Sequence, residues 1–420
     1  MDKLIVHGGS QLEGSVSISG SKNASLPILA ATLLTKESCI IRRVPDVSDT
    51  NYMLQILQNL GAEVERASGT VIVRAEKIGH EAPYELVRKM RASVCVMGPL
   101  LSRLHKATVS LPGGCVIGDR PVDLHLRGLE GLGAEVQVEG GNLHLKCREL
   151  RGKTIDMRGK HGTTVLGTDN IMMAAVLAKG TTIIEGAACE PEVVDLANFL
   201  NKMGAKITGA GTTRIVVEGV KELHGVDHTV IPDRIEAGTF LVAGAMASTK
   251  GITLKRVDRE HLTSVIELLQ NAGFEIEGSG KTLTIRPGAR RVGCDITTEP
   301  YPGFPTDMQA QMCALFATTP GISVVRDTIF PQRFMHCSEM KRMGADIDLN
   351  DGTAVIRGVD HLSAAPVMAS DLRASAALLL AALTAKGATE ISRVYHIDRG
   401  YEHIDQKLVD LGAHIERLKV

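Results

Sequence analysis

The chain has 420 residues, and its 47 lysines and arginines nearly balance its 48 aspartates and glutamates, which leaves a net charge of −1. Aromatic residues make up only 3% of the sequence, and tryptophan is absent. This composition argues against non-specific binding of nucleic acid or of an anionic membrane as the main task, and against a platform on which bases stack.

Three further features bear on the compartment. The chain begins without a basic segment followed by an apolar one, so we expect no secretory signal. The longest apolar stretch, residues 374–385, is too short to span a bilayer and is typical of a buried helix. The eight cysteines include no C-x-x-C pair, which predicts a reducing, cytoplasmic location without structural zinc.

The chain opens with two short alternating segments, residues 3–6 and 15–18, that predict β-strands. A pattern of about 70 residues then repeats six times: a strongly apolar helix, a strand, an amphipathic helix that ends at a glycine, and a β-hairpin. A glycine at this place can take the left-handed conformation that closes a helix. The terminal glycines, 68 to 72 residues apart, are Gly61, Gly133, Gly204, Gly273, Gly344 and Gly412. The repeat predicts an α/β fold whose six units account for the whole chain.

The apolar helices and the strands that follow them occur in the same order in every unit. The helices are apolar on all sides, which predicts that they are buried. We predict them at residues 26–34, 93–104, 170–178, 238–247, 308–317 and 373–385. We predict the strands that follow at residues 39–44, 106–111, 181–186, 251–257, 322–328 and 388–394.

The sixth unit stops after the first strand of its hairpin, whereas the start of the chain supplies a spare strand. Because an unpaired edge strand is unfavourable, we expect the start and the end of the chain to pair. This pairing predicts two domains of three units each, residues 22–230 and residues 1–21 with 231–420. The chain then crosses between the domains twice, and we expect a hinged cleft between them.

Charged residues collect where a strand leads into the N-terminus of a buried helix. A helix N-terminus carries unpaired N–H groups and a partial positive charge, so it attracts anions. A single lysine or arginine there is usually a solvated surface charge, but cations without a sequence-local partner recur in three units and together favour an anionic substrate. The residues at these junctions are Lys22, Asn23, Arg91, Asp233, Arg234, Glu236, Asp307, Asp371 and Arg373.

A glycine-rich segment of the second unit, residues 111–125, carries a further chemical signal. It places Cys115 after a Pro-Gly-Gly turn and shortly before Arg120, which is typical of an exposed functional loop. A thiol beside cations has a lowered pKa and can act as a nucleophile or as an acid. Inert burial is the simpler interpretation for Cys95 and Cys313, which lie in apolar helix patterns.

Several short motifs do not carry a function. Residues 19–22 match S-x-x-K but lack the Lys-Thr-Gly partner of that enzyme class, and residues 209–211 form a hairpin turn rather than a dinucleotide-binding motif. The sequence contains neither a Walker phosphate-binding loop nor an H-E-x-x-H motif, and its 14 histidines show no metal-ligand spacing. We therefore expect no metal and no cofactor.

Eight segments spread over the whole chain match those of a known family. They are GSKNASLPILAATLL (20–34), KMRAS (89–93), LPGGCVIGDRPVDLH (111–125), EPEVVDLANFL (190–200), FPTDMQAQ (304–311), QRFMH (332–336), DLRASA (371–376) and YHIDRGYEHI (395–404). Together they resemble the UDP-N-acetylglucosamine (UDP-GlcNAc) enolpyruvyl transferase family of bacterial peptidoglycan synthesis. The resemblance implies two inside-out α/β barrels, in agreement with the six repeats.

The same resemblance implies a reaction and its participants. Enolpyruvyl would pass from phosphoenolpyruvate (PEP) to the 3-hydroxyl of UDP-GlcNAc, with release of phosphate. The partners would be these small-molecule substrates, with no cofactor, nucleic acid, membrane or obligate protein partner. An acid must protonate the PEP methylene while a base assists the attacking hydroxyl. By this resemblance Cys115 would be the acid and would also form a reversible adduct with PEP, and Asp307 would be the base or a positioning acceptor.

The resemblance also implies roles for individual residues. The catalytic residues would be Lys22, Cys115, Asp307 and Arg399. PEP would be bound by Lys22, Asn23, Arg120 and Arg399. The sugar nucleotide would contact Asn23, Arg91, Arg120, Pro121, Val122, Asp123, Leu124, Asp307 and Ile329. Supporting residues would be Asp233, Arg333, Asp371 and Arg373.

The sequence departs from the family pattern at two places. Residues 160–167 read KHGTTVLG where the family has a lysine-led stretch that contacts the diphosphate, which leaves the part played by Lys160 open. Pro331 stands where many members carry an acidic residue. Two alternatives also stay open: the sister enzyme 3-phosphoshikimate 1-carboxyvinyltransferase, and a sugar-nucleotide sensor without catalysis. The loop around Cys115 and the RPVDLH segment favour the sugar-nucleotide enzyme.

Overall fold

The strands of the protein form six four-stranded sheets within the residues that the computed structural model describes, which are 2–111, 122–159 and 162–419. These residues fall into two compact units. The first unit lies within residues 20–231, and the second unit comprises residues 2–19 and 232–419. The strands are β1 (Lys3–His7), β2 (Gly14–Ser17), β3 (Ser38–Arg42), β4 (Glu63–Ala67), β5 (Thr70–Arg74), β6 (Glu81–Ala82), β7 (Lys106–Ser110), β8 (Glu135–Glu139), β9 (Asn142–Lys146), β10 (Thr154–Asp156), β11 (Thr181–Glu185), β12 (Lys206–Thr208), β13 (Arg214–Glu218), β14 (Asp227–Thr229), β15 (Ile252–Lys255), β16 (Phe274–Glu277), β17 (Thr282–Pro287), β18 (Ile296–Thr298), β19 (Ile322–Asp327), β20 (Asp346–Asn350), β21 (Thr353–Arg357), β22 (Val367–Met368), β23 (Ala388–Ser392) and β24 (His414–Leu418).

All six sheets share one strand order. In each sheet an edge strand runs parallel to its neighbour, and the remaining pairings are antiparallel. The sheets of the first unit are β14-β3-β5-β4, β6-β7-β9-β8 and β10-β11-β13-β12. Those of the second unit are β2-β15-β17-β16, β18-β19-β21-β20 and β22-β23-β1-β24. The α/β fold predicted from six repeats is therefore confirmed.

Strand β1 fills the position in the sixth sheet that the return strand of the hairpin fills in the other five. It pairs antiparallel with β24, where Ile5 lies opposite Glu416, and with β23, where Ile5 lies opposite Glu390. Strand β2 likewise supplies the parallel edge of the sheet that contains β15, and β14 does so for β3. Both units therefore depend on strands that are remote in sequence.

The helices alternate between two kinds, one buried and one amphipathic. Within the described residues the α-helices are α1 (Lys22–Ala31), α2 (Ser48–Asn59), α3 (Tyr84–Val87), α4 (Met97–Leu104), α5 (Asp123–Gly131), α6 (Val165–Ala175), α7 (Pro191–Lys202), α8 (Arg234–Ala247), α9 (Thr263–Asn271), α10 (Gln309–Phe316), α11 (Met335–Arg342), α12 (Leu372–Thr384) and α13 (Ile404–Asp410). Short 3₁₀-helices span Thr32–Leu34, Arg91–Val96, Glu260–Leu262, Thr306–Met308 and Val394–Arg399. No helix in this part of the chain has both the length and the apolar character needed to cross a membrane.

The apolar helices occupy the interior of each unit. Helices α1, α4 and α6 lie in the core of the first unit, and α8, α10 and α12 lie in that of the second. In α8 every residue from Ile235 to Ala247 is buried, because no face of this helix carries a run of charged residues. Strands such as β5, by contrast, alternate buried and more exposed residues. The apolar helices therefore lie inside and the sheets outside in each unit, which confirms the inside-out arrangement.

The predicted helix at residues 93–104 is divided in the structure. This apolar segment forms a 3₁₀-helix that ends at Val96, and α4 begins at Met97. Pro99 lies in the first turn of α4, where a missing N–H costs no helical hydrogen bond. The proline therefore sits where an α-helix can begin, and the residues before it take the tighter helical form.

The amphipathic helix of every unit ends at the predicted glycine. All six glycines have φ between +91° and +109°, a conformation that strains any residue with a Cβ. The Ala62 N–H donates to the Leu57 carbonyl at 3.0 Å after α2, and the Ala413 N–H donates to the Leu408 carbonyl at 2.9 Å after α13. This shared hydrogen bond closes the helix and turns the chain into its hairpin.

Candidate functional site

Two of the predicted supporting residues fix the starts of buried helices in the second unit. Asp371 precedes α12, and its Oδ1 accepts hydrogen bonds from two backbone N–H groups at 2.8 and 3.1 Å. Asp233 precedes α8 and accepts in the same way at 2.9 and 3.0 Å. Equivalent positions in two repeats thus carry the same N-cap. These aspartates determine where the buried helices begin.

Asp307 lies between two buried arginines at the entry to α10. Arg333 Nη1 donates to Asp307 Oδ1 at 2.8 Å, and Arg373 Nη2 donates to Oδ2 at 2.9 Å. The two arginine side chains are 6% and 4% exposed, whereas the Asp307 side chain is 27% exposed. One partly accessible carboxylate therefore compensates two buried charges. The structure brings together three predicted residues that are remote in sequence.

The arginines change the acid–base character of Asp307. Burial alone would raise the pKa of this carboxyl, but the charges of Arg373 and Arg333 hold the pKa well below its usual range. Burial alone would also lower the pKa of Arg373, but the charge of Asp307 raises that pKa above its usual value. Asp307 is therefore an ionised hydrogen-bond acceptor at neutral pH and a weak general base.

A buried aspartate that the sequence analysis missed orders the neighbourhood of this cluster. Asp327, the last residue of β19, accepts hydrogen bonds from Thr306 Oγ1 at 2.7 Å and from the Ile329 N–H at 3.0 Å. Thr306 Oγ1 in turn accepts from Arg333 Nη1 at 3.3 Å. The same carboxylate thus holds the predicted contact residue Ile329 and a direct neighbour of Asp307. An aspartate that ends a strand, just before a turn, was the available signal.

Arg373 is also held by an aromatic residue. Its guanidinium lies over the ring of Tyr401, 5.3 Å from the centroid. The Tyr401 hydroxyl lies 3.0 Å from Thr239 Oγ1 and accepts a hydrogen bond from Gln311 Nε2 at 3.1 Å. Sequence reasoning gave these three residues no role, although polar side chains inside apolar helices were a signal for two of them. They fix the direction of a guanidinium that binds Asp307.

Arg399, at the end of the last 3₁₀-helix, lies within electrostatic reach of His396. Burial lowers the pKa of His396, and the positive charge of Arg399 lowers it further. The imidazole is therefore neutral near pH 7 and does not add a second positive charge beside the guanidinium. Asp371 also interacts with His396, so Arg399 and the cap of α12 belong to one neighbourhood.

In the first unit, Lys22 is the first residue of α1, directly after the N-cap Ser21. Its Nζ lies 3.3 Å from Asp49 Oδ2, and the two side chains are 12% and 3% exposed. Asp49 lies in the first turn of α2 and was not among the predicted site residues. Asn23 follows Lys22 and is half-buried. The predicted PEP-binding lysine is thus part of a largely buried ion pair at a helix N-terminus.

Arg91 lies close enough to His125 for its charge to act on the imidazole. Burial, together with the charge of Arg91, lowers the pKa of His125 to about 3, so the ring is neutral. His125 Nδ1 lies 2.9 Å from Asn170 Nδ2, which connects α5 to α6. The predicted contact residues 122–124 directly precede this histidine, and α5 begins at Asp123. The histidine therefore anchors the helix that presents them.

Four of the residues considered in the sequence analysis lie outside the described residues. They are Cys115, Arg120, Pro121 and Lys160. The roles given to Cys115, Arg120 and Pro121 stay predictions.

The seven cysteines in the described residues are poor candidates for a reactive thiol. Four of them are buried: Cys39, Cys95, Cys313 and Cys337. This confirms the interpretation of Cys95 and Cys313 as buried residues. The other three, Cys147, Cys189 and Cys294, are half-buried. Burial raises the pKa of each of the half-buried thiols, so little thiolate is present at neutral pH. A hydrogen bond with Cys313 lowers the pKa of Cys337, but that sulfur is buried.

The cluster around Asp307 suits some ligands better than others. Each carboxylate oxygen already accepts from a guanidinium, so the site has no free pair of oxygens for a metal ion. An ionised carboxylate that is partly exposed can accept a further hydrogen bond from a hydroxyl group. The flanking guanidinium charges favour an anionic group nearby.

Comparison with known proteins gives full-length matches. A family model described as EPSP synthase (3-phosphoshikimate 1-carboxyvinyltransferase) matches residues 6–408. A relative from Akkermansia muciniphila named UDP-N-acetylglucosamine 1-carboxyvinyltransferase is 67% identical, over 100% of this chain and 99% of the relative. A relative of the same name from Methylacidiphilum infernorum is 57% identical with the same coverage.

Solved structures show the same fold. The enolpyruvyl transferase NikO from Streptomyces tendae is 27% identical to this chain, with a TM-score of 0.91 over 100% of this chain and 99% of that one. An EPSP synthase from Acinetobacter baumannii is 17% identical, with a TM-score of 0.77 over 100% of both chains. At this low identity the second likeness shows the fold alone.

Proposed function

Because the chain belongs to the EPSP synthase family, we propose that it transfers the enolpyruvyl group of PEP to the 3-hydroxyl of UDP-GlcNAc and releases phosphate, the first committed step of peptidoglycan synthesis. The observation that carries this proposal is the 67% identity, over the full length, to a relative named for that activity. The geometry around Asp307 supports it, because the site offers an acceptor for a hydroxyl group next to fixed positive charges.

The proposed reaction has two balanced steps. In the addition, the 3-hydroxyl oxygen of the sugar bonds to C2 of PEP, its proton leaves, and C3 of PEP gains a proton. In the elimination, a proton leaves C3, the bond between C2 and the phosphate oxygen breaks, and the carbon–carbon double bond forms again. Phosphate and the enol ether of the sugar nucleotide are the products.

We propose that cationic side chains bind PEP, because its phosphate and carboxylate repel an approaching oxygen nucleophile until their charges are neutralised. In this proposal Lys22, Arg120 and Arg399 bind PEP, together with Asn23. Lys22 supports the assignment because it stands at a helix N-terminus, where backbone N–H groups add to its charge. Cys115 is the proposed acid for C3 of PEP and the site of a reversible adduct.

Asp307 is assigned to the sugar hydroxyl as an acceptor that positions the oxygen for attack. Two hydrogen-bonded arginines hold the pKa of its carboxyl well below the usual range, so full removal of the hydroxyl proton by Asp307 would be unfavourable before the new bond forms. Arg333 and Arg373 keep the carboxylate in place, and Asp371 and Asp233 fix the helices nearby. The remaining nucleotide contacts are assigned to Arg91, residues 120–124 and Ile329.

The proposal places the enzyme in the cytoplasm, where PEP and nucleotide sugars are made. Members of this family act on small molecules, and the substrates proposed here are of that kind. We also propose that the two compact units are the two domains predicted from the repeats.

Phosphate release from PEP tests the proposal directly. We expect release with UDP-GlcNAc and none with shikimate 3-phosphate. Release with shikimate 3-phosphate alone would reverse the assignment in favour of the sister enzyme, an alternative that the names of the 67% and 57% identical relatives do not favour.

A second experiment distinguishes an enzyme from a protein that only binds the sugar nucleotide. We expect Cys115→Ala to bind UDP-GlcNAc with little change but to release no phosphate. A sensor without catalysis would bind the sugar nucleotide and release no phosphate in the unsubstituted protein either. Calorimetric binding and the phosphate assay on the same preparations distinguish these outcomes.

A further inference from the structure

A group of side chains with metal-binding potential lies on the outer face of the sixth sheet, apart from every residue assigned above. His7 on β1 lies directly opposite His414 on β24. Glu416 follows two positions along β24, so its side chain points to the same face of the sheet. All three side chains are at least 40% exposed. Two histidines and one glutamate therefore converge at a solvent-accessible position on paired strands.

The distances in this group match those of a metal site better than those of a direct hydrogen bond. His7 Nε2 lies 3.5 Å from Glu416 Oε1, and His414 Nε2 lies 3.6 Å from the same oxygen. Both distances exceed the usual length of an N–H···O hydrogen bond. In a tetrahedral zinc site with bonds of about 2.0–2.1 Å, the ligand atoms lie about 3.3–3.4 Å apart. The ligand atoms of the three residues all lie within 4.8 Å of one another, so rotation of the exposed imidazole side chains would bring them around one ion.

The two imidazoles are already ordered relative to each other. Their rings stack with centroids 4.1 Å apart and planes inclined by 17°. Both rings bring Nε2 near the same oxygen of Glu416. An imidazole binds a metal along the lone pair in its ring plane, so the two exposed rings would tilt out of this stack to share one ion. The strands beneath them are hydrogen-bonded along a five-residue register, which gives the ligands a rigid base.

We propose that His7, His414 and Glu416 bind one divalent transition-metal ion of the zinc type. Imidazole nitrogen and carboxylate oxygen are ligands that suit zinc and its neighbours in the first transition series. Three protein ligands leave a fourth position for water. The ion joins the first and last strands of the sequence, which meet only in the folded chain, so binding is coupled to folding.

A second group of candidate ligands in the described chain must be distinguished from this one. Cys313, His336 and Cys337 also bring their ligand atoms within 4.8 Å of one another, but all three are buried. An ion would have to lose its water and enter an apolar core to reach them. Its ligands would also differ in kind, because two of them are thiolates. Spectroscopy can therefore separate the two groups.

Cobalt(II) is the probe that tests the proposal on the full-length protein freed of metal by a chelator. We expect one equivalent to bind with the visible bands of a tetrahedral or five-coordinate site and without the near-ultraviolet bands of thiolate ligation. We expect zinc to compete for this site and to raise the midpoint of thermal unfolding. His7→Gln and His414→Gln should each weaken binding by about tenfold or more and remove the shift of the midpoint.

The matched control is His361→Gln, because His361 is exposed and lies outside both groups. We expect this variant to bind cobalt as the unsubstituted protein does. Unchanged affinity in both His7→Gln and His414→Gln, absorption typical of thiolate ligands, or the absence of stoichiometric binding would each overturn the proposal. Phosphate release should be the same in His7→Gln and in the unsubstituted protein, so failure of the proposed function would not be mistaken for failure of this site.

Discussion

The two units share one strand order but hold their functional charges in different ways. In the second unit, Asp307 binds Arg333 and Arg373 at 2.8 and 2.9 Å, whereas in the first unit Lys22 lies 3.3 Å from Asp49. A guanidinium is a rigid planar donor, and two of them around one carboxylate fix its direction. A lysine is a point charge on a flexible stem and can adjust to a ligand. The same backbone thus carries a rigid acceptor in one unit and an adaptable cation in the other.

This difference is possible because the charges stand at or near the starts of helices and not within the apolar helices' packed length. The positions that each repeat needs in order to fold are the apolar helix faces and the terminal glycine. Residues at the N-terminal ends of the buried helices face fewer packing constraints, so each repeat can carry its own chemistry there. Substitutions at these contacts should therefore have different consequences in the two units.

Asp307→Asn should have the largest effect, because it removes the carboxylate to which two buried guanidinium groups are hydrogen-bonded. We expect phosphate release to fall about 10²- to 10³-fold. We expect the free energy of unfolding to fall by about 3–5 kcal/mol. Enzyme assay and urea unfolding at pH 7 measure both. Asp360→Asn, at an exposed position, is the control and should change neither. Full stability in Asp307→Asn would refute the rigid ion-pair description.

The pH dependence of that stability difference sharpens the same test. Because the folded-state pKa of Asp307 is depressed, its stabilising effect is present above the unfolded-state pKa of about 3.9 and is lost as the pH falls toward the folded-state value. The difference in unfolding free energy between the unsubstituted protein and Asp307→Asn should be constant from about pH 8 to about pH 5 and should shrink below about pH 4. A steady change between pH 8 and pH 5 would contradict the low pKa.

Lys22→Ala should have the next largest effect, about a 100-fold loss of kcat/KM for PEP. Lys22→Arg should restore part of the activity, because an adaptable site needs the charge more than the exact donor geometry. Arg373→Lys should be little more active than Arg373→Ala, because the rigid site needs the planar donor geometry of a guanidinium. The control is Lys36→Ala at an exposed position. Equal recovery in Lys22→Arg and Arg373→Lys would remove the distinction between the units.

A phosphonate-bearing epoxide of the fosfomycin type should alkylate Cys115 at least about tenfold faster than the other thiols of the protein. The reaction should be faster still when UDP-GlcNAc is bound. Peptide mass spectrometry measures the sites and rates. Cys294, a half-buried thiol of the second unit with a raised pKa, is the internal control. Predominant label on Cys95 or Cys337 would refute a reactive thiol in the segment 111–125.

The smallest effect is expected at the glycine that ends an amphipathic helix, a position that can be compared between the two units. Gly133→Ala should cost about 1–2 kcal/mol of unfolding free energy, because φ is +102° and the nearest atom to an added Cβ is 3.6 Å away. Gly273→Ala should cost more, because an added Cβ would lie 1.8 Å from the Arg290 carbonyl oxygen. Urea unfolding of both variants checks the order. A larger loss for Gly133→Ala would show that strain, and not space, limits this position.

Much of the fold could be predicted because its signals are local. Apolar helices, alternating strands and a glycine at the end of each amphipathic helix are determined by residues within a few positions of one another. The exception at Pro99 is also local, since the proline sets where α4 begins. Most of the proposed site residues came from resemblance to a family, and the junction pattern alone indicated only an anionic ligand. Asp327 and Tyr401 were missed because their importance lies in what they touch.

The six repeats, the buried helices and the glycine turns follow from local sequence, because periodicity and backbone preference act over short stretches of chain. Which charged side chains contact one another depends on the packing of distant segments. The arginines that bind Asp307, and the aspartate that pairs with Lys22, come from segments that are distant in the sequence. The histidines show no metal-ligand spacing along the chain, yet strand pairing brings His7 beside His414. Such meetings depend on how whole repeats pack, and no short-range pattern encodes that packing.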